Sequence, residues 1–215
     1  MTAETQTGVL ACALEGACYN SASDGACYNS YEFTIDRCDM PDFDELEFME
    51  VARRSMDIPN AGGSSNISEA LSMEYLRKKY NIKDFIPEME VVYWIEACLC
   101  DFLMILEDCN VGVSVTRAVS YPFNSEFTIE HARELLNRKL YKLLVARNSI
   151  SEEQSFDRSI LHVWCYSEQV AANMKRAHDE MVAADVDGTY DGVHVICTVC
   201  DKIYIYTNRP HRYRS

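Results

Sequence analysis

From Val111 to Thr207 the chain alternates β-branched runs with amphipathic stretches, and this alternation restricts the fold more than any other feature of the sequence. Val111-Gly-Val-Ser-Val-Thr-Arg-Ala-Val119 reads as a strand. Thr128 then caps a helix to about Arg147, with Ile129, Ala132, Leu136, Leu140 and Leu143 on one face. Ser159 to Tyr166 is a second strand, with Ile160, His162, Trp164 and Tyr166 facing one way and Leu161, Val163 and Cys165 the other. Ser167 caps a helix to about Ala184, with Val170, Met174, Ala177 and Met181 inward. Val193 to Val199 and Ile203 to Thr207 read as two strands of a hairpin. The order βαβαββ predicts an α/β (α+β) body, a small mixed sheet with helices packed on it.

Upstream, the spacing predicts three helices. Pro41 opens the first, which runs to Met56 with Phe43, Leu46, Met49 and Ala52 at helical spacing. Ile58 to Ser65 is a linker rich in Gly and Ser. Asn66 and Glu69 form a capping box for the second helix, which ends near Tyr80 with Ile67, Leu71 and Leu76 inward. Pro87 starts the third, reaching Cys109. It is apolar nearly all round, so it should lie centrally, with Trp94 and Leu103 in the core. Glu96 and Asp101 interrupt it, which excludes a membrane span. They lie too far apart around a helix to form a dyad, and Arg117 on the next strand is a natural ion-pair partner for one of them.

Residues 1–40 have a different character. Gly16-Ala-Cys-Tyr-Asn-Ser21 recurs as Gly25-Ala-Cys-Tyr-Asn-Ser30, among turn-forming residues and with few large aliphatics. The segment reads as an extended docking arm with Tyr19 and Tyr28 as anchors. Two copies of one motif suit two equivalent pockets. Residues 41–215 then form a single α/β domain with a short basic tail.

Acids outnumber bases by 34 to 20, and the net charge of -14 argues against nucleic acid, whose non-specific binding draws on Lys and Arg. The charge is uneven. Residues 1–60 hold 12 acids against 3 bases, and residues 84–110 hold seven acids and no base. Lys202, Arg209, His211, Arg212 and Arg214 make the tail basic, while Arg138, Lys139 and Lys142 cluster on the outer face of the Thr128 helix. Patches of opposite sign suit assembly with like or unlike chains. The first residues lack a basic segment followed by an apolar one, so the ten Cys are expected to be free thiols in a reducing, cytoplasmic compartment.

Chemical motifs are sparse. Cys197-Thr-Val-Cys200 has the spacing of a zinc knuckle, but Thr198 and Val199 favour a strand over the tight turn such a knuckle needs. A redox CxxC would open a helix, and this one does not. His178-Asp-Glu180 with the CxxC matches the letters of a zinc deaminase, yet Ile196 stands where that pattern has proline. Cys165 lacks the Arg six residues on that a cysteine phosphatase uses, and His162 has the wrong strand parity to activate it. Asp185, Asp187 and Gly188 hint at a calcium loop without its closing Glu.

The expectation is therefore a non-enzymatic structural or protein-interaction protein with no cofactor and no metal. Its partners would be other proteins, including copies of itself, in a larger assembly such as a virion. Arg138, Lys139, Lys142, Arg209 and Arg212 join Tyr19 and Tyr28 as contact residues. The alternatives are an enzyme with a thiol-based site drawn from distant residues, or a small module stabilised by zinc at Cys197 and Cys200.

Overall fold

The computed structural model describes residues 32–57, 65–96, 99–123 and 125–207. Its centre is a mixed six-stranded sheet in the order β1-β6-β5-β4-β3-β2. The strands are β1 (Glu32–Arg37), β2 (Asp84–Pro87), β3 (Phe102–Ile105), β4 (Asn110–Ala118), β5 (Arg158–Cys165) and β6 (Val193–Val199). β1, β6, β5 and β4 run parallel, whereas β3 is antiparallel to β4 and β2 to β3. Five helices accompany them: α1 (Glu50–Asp57), α2 (Asn66–Lys79), α3 (Ile129–Ser149), α4 (Glu168–Ala184) and α5 (Ile203–Thr207). The fold is α/β.

Strand parity sorts the core into two layers. Val111, Val113, Val115, Ile160, Trp164 and Ile196 face α1, α2 and α5. Leu161, Val163, Cys165, Val195 and Cys197 face α3 and α4. Covering both faces explains why the parallel strands read as almost continuous apolar runs. Buried polar groups are matched where the layers meet. The Trp164 indole, for instance, donates to Ser72 Oγ at 2.9 Å and to Ser68 O at 3.2 Å.

The caps of α3 and α4 lie where the sequence places them. Thr128 Oγ1 accepts from His131 N and Ser167 Oγ from Val170 N, each at 3.4 Å. At α2 the cap shifts by one residue to Ser65, whose hydroxyl donates to Glu69, while Asn66 reaches back to Met56 O.

Four expectations give way. The helix expected from Pro87 to Cys109 is instead a 3-10 turn at Glu88–Glu90, an irregular segment bridged to Ile150 at Tyr93, and β3. An all-round apolar helix and a strand buried on both faces have the same composition, and only pairing with β4 separates them. The helix from Pro41 to Met56 shortens to a 3-10 turn at Phe43–Glu45 followed by α1, whose entry is held by Met49 N donating to Glu74. Ile203–Thr207 is not a hairpin strand. Both edges of β6 are taken by β1 and β5, so the apolar residues fold back as α5 and bury Tyr204, Ile205 and Tyr206 against α2. Residues 32–40 belong to the body rather than to an arm, because β1 completes the sheet and Met40 enters the core. The duplicated hexapeptides, residues 1–31, and the linker positions 58–64 lie outside the described residues.

Candidate functional site

The basic cluster on α3 divides by helical angle. Arg133 pairs with Glu180 of α4 at 2.6 Å, so that flank of α3 faces α4. Arg138 and Lys142 lie on the opposite flank and are exposed. Lys139 is not on the outer face. Its ammonium turns in to Val115 O at 2.8 Å and Ser114 Oγ at 3.1 Å, and lies 3.7 Å from Asp101.

The reason is a gap in the sheet. β3 covers β4 only from Asn110 to Val113, leaving Val115 without a strand on that side. The Asp101 carboxylate accepts from Val115 N and from Ser114 Oγ at 2.9 Å, while Lys139 takes the Val115 carbonyl. This half-buried ion pair supplies both hydrogen bonds of the missing ladder rung. Asp101 thus pairs with Lys139 and not with Arg117. The Arg117 guanidinium donates to Tyr206 O at 3.3 Å, closing the C-terminus of α5.

A cleft of about 690 Å³ opens at the carboxyl ends of β4 and β5, between the first turns of α3 and α4. Ligands of open α/β sheets bind in this place, but here the polar groups are committed elsewhere. Thr128 and Ser167 cap their helices, and Asn173 donates to Phe127 O at 2.7 Å. Glu130 hydrogen-bonds Thr128, which holds its carboxyl below the ordinary range. In the adjoining cleft Ser120 Oγ lies 3.2 Å from His131 Nδ1, as a nucleophile and base would. However, Ser120 donates to Glu126 O at 2.9 Å, and the same ring nitrogen accepts from Thr128 N at 3.2 Å. The His is part of the α3 cap.

The thiols of Cys38, Cys100 and Cys197 have the wrong electrostatics for a nucleophile. Burial pushes Cys100 up to about 12 and Cys38 up to about 11. Burial, reinforced by neighbouring Cys165, drives Cys197 well above its ordinary value. All three are therefore neutral at pH 7. Cys197 faces α3 and α4 whereas Cys200 enters the opposite core layer, so the sheet separates the two sulfurs of the CxxC. Among the described residues no three His, Cys, Asp or Glu converge on a metal position. The calcium-like loop is also internal, because the Asp185 carboxylate accepts from Thr189 N and Tyr190 N.

What stands out is apolar and exposed. Between β2 and β3 the chain leaves Met89, Val92, Trp94 and Ile95 open to solvent at 58%, 55%, 72% and 47%. Trp94 is therefore a surface residue, contrary to the sequence expectation, while Leu103 is fully buried. The backbone beneath this ridge is pinned. Trp94 N donates to Ser149 O at 2.7 Å, Ser151 N to Val92 O at 2.9 Å, and Gln154 bonds both Val92 N and Glu90 O. Cys100 N donates to Tyr93 OH at 3.0 Å, while Tyr93 and Val91 pack into the core below. Glu90, Glu96, Glu152 and Glu153 edge the ridge, with Arg54 paired to Glu90 at 3.3 Å. Sequence reasoning missed this face because it assigned the segment to a helix. The visible signal was a Trp between Val-Val-Tyr and Ile-Glu in a stretch without bases. Of the other expected contact residues, Tyr19, Tyr28, Arg209 and Arg212 lie outside the described residues.

The chain is similar to a Dictyostelium discoideum protein described as AAC-rich mRNA clone AAC4 protein, with 33% identity over 125 residues. The match takes in 55% of this chain and 18% of that protein, so the chain spans less than a fifth of the relative's length. No family model and no solved structure matches the chain.

Proposed function

We propose that this chain is a non-enzymatic interaction protein, a component of a larger protein assembly, and that the Met89–Ile95 ridge is its contact face. The observation that carries this reading is the exposure of Trp94 and its apolar neighbours on a backbone held by five hydrogen bonds. Large aromatic anchors on pre-ordered backbone lose little entropy on binding and dominate interface energies. Contiguous exposed apolar side chains with a polar rim mark protein contacts on soluble folds. The acidic rim selects a partner surface that is apolar at its centre and basic around it. The Tyr-bearing hexapeptides add two tethered contacts in this reading, and the basic tail with Arg209 and Arg212 a third. No helix of the described residues is long and apolar enough to cross a membrane.

A photo-crosslinking amino acid placed at position 94 tests this in the cells that make the protein. Discrete protein adducts are expected from position 94 and not from Val186, which is even more open, at 92%, on a turn between α4 and β6. Equal adducts from both positions, or none from a folded chain labelled at 94, would overturn the reading.

A further inference from the structure

The acidic apolar ridge and the basic flank of α3 lie side by side. Arg138, Lys142, Val145 and Ser149 follow one another at spacings of three and four, so they share one stripe of the helix. That stripe ends at Ser149, whose carbonyl holds Trp94 N. Arg133 and Glu180 show that the other flank faces α4, so this stripe lies on the side of the helix where Ser149 holds Trp94 and Lys139 meets Asp101. One continuous face therefore carries Trp94, Val92 and Ile95, edged by Glu96, Glu152 and Glu153, next to exposed Arg138 and Lys142. Tyr141, 63% exposed, stands between the two bases in sequence. Among the described residues neither Arg138 nor Lys142 has an acidic partner, although Lys139 between them does.

We infer that the occupant of the ridge is a second copy of this chain, seated about a two-fold axis so that each copy's acidic ridge meets the other's Arg138 and Lys142. This inference rests on the ridge being a contact face and adds who occupies it. The reason is charge arrangement. A chain with a net charge of -14 repels its own kind, so self-association needs a local face that carries both signs. A two-fold axis brings unlike halves of such a face together twice. An unrelated basic partner would leave Arg138 and Lys142 opposed by like charge at the edge of the ridge. With a second copy they are neutralised, and Trp94 with Val92 and Ile95 becomes the apolar centre.

Charge exchange tests it on the full chain. Sedimentation velocity up to about 100 µM, a range that detects even weak dimers, should show a dimer for the parent chain. The variant Arg138→Glu/Lys142→Glu carries two acidic halves and should be monomeric. Glu96→Lys/Glu153→Lys carries two basic halves and should be monomeric as well. An equimolar mixture of the two variants should restore a dimer that contains one of each. Salt alone is a poorer readout, because it also screens the repulsion between acidic bodies. Melted at a dilution where the parent is monomeric, each variant should keep the parent's transition, since the changed side chains are exposed. A monomeric parent, variants that dimerise as the parent does, or a mixture without heterodimers would each overturn the inference. If the parent is monomeric while position 94 still crosslinks to a different protein, the second copy is wrong and the contact-face reading stands. If Trp94→Ser changes neither the dimer nor the crosslinks at neighbouring position 92, both fall.

Discussion

Lys139 shows how little of a side chain's role its charge reveals. Three bases within five residues look like one basic patch, yet the helical angle of the middle one points it at an unpaired rung of the sheet. Lys139→Met should leave the Asp101 carboxylate without its counter-charge and the Val115 carbonyl without a donor, and cost about 1–3 kcal/mol in urea unfolding. Arg138→Ala and Lys142→Ala should change stability by less than about 0.5 kcal/mol. Histidines in the layer beneath α2 make a second residue-scale prediction. His162 stacks on Tyr75 at 5.0 Å with Nε2 2.9 Å from Thr198 Oγ1, and burial lowers it to about 3. His194 sits 2.8 Å from Thr34 Oγ1, and burial lowers it to about 4. Lys79, and at His194 also His178 and Arg158, disfavour a second positive charge, and Asp36 only partly offsets the burial; the Glu32 carboxylate lies 3.4 Å from His194 Nδ1. Both rings are thus neutral in the folded chain, while the unfolded chain binds protons below about 6.5. Stability is accordingly full above that pH and is lost as pH falls from there toward 4. Thermal melts should show the midpoint dropping across this window, and His162→Gln should flatten the slope. A slope unchanged by that substitution would assign the loss to the carboxylates.

At the scale of elements, the segment between β2 and β3 and the final helix α5 depart most from local preference. Leu103→Ala, in a strand buried on both faces, should destabilise by about 2–5 kcal/mol. Trp94→Ala, nine residues away, should stay within about 0.5 kcal/mol because the indole leaves little packing behind. Equal losses at the two positions would mean that the ridge is core. Ile203-Tyr-Ile-Tyr-Thr207 has strong β-propensity and still forms a helix, because β6 has no edge to offer and Arg117 satisfies the carbonyls at the helix end. Ile205→Ala should therefore cost as much as Leu103→Ala, although it lies near the chain terminus.

For the whole molecule the decisive element is β1, which fills one edge of β6. Residues 1–31 carry few large aliphatic side chains, so removing them should leave the melting midpoint almost unchanged. Removing residues 1–40 strips β1 from β6, exposes His194 and Thr198, and takes Met40 from the core. That truncation should unfold several degrees lower or fail to accumulate in soluble form, and equal midpoints for the two truncations would contradict the placement of β1. The β4–α3–β5–α4–β6 body was legible from residues 111 to 199, because its helices carry one apolar stripe, its strands carry continuous apolar runs, and Thr128 and Ser167 mark the starts. These signals are local, so sequence determined them by itself, along with the acidic charge and the absence of a membrane-spanning run. The contact face was not legible. Whether Trp94 is buried depends on what pairs with β4, whether Lys139 is outside depends on how far β3 extends, and whether Ile203–Thr207 is a strand depends on β1 occupying the edge of β6. Each is a relation between residues tens of positions apart, and only the assembled sheet decides which backbone edges remain to be filled.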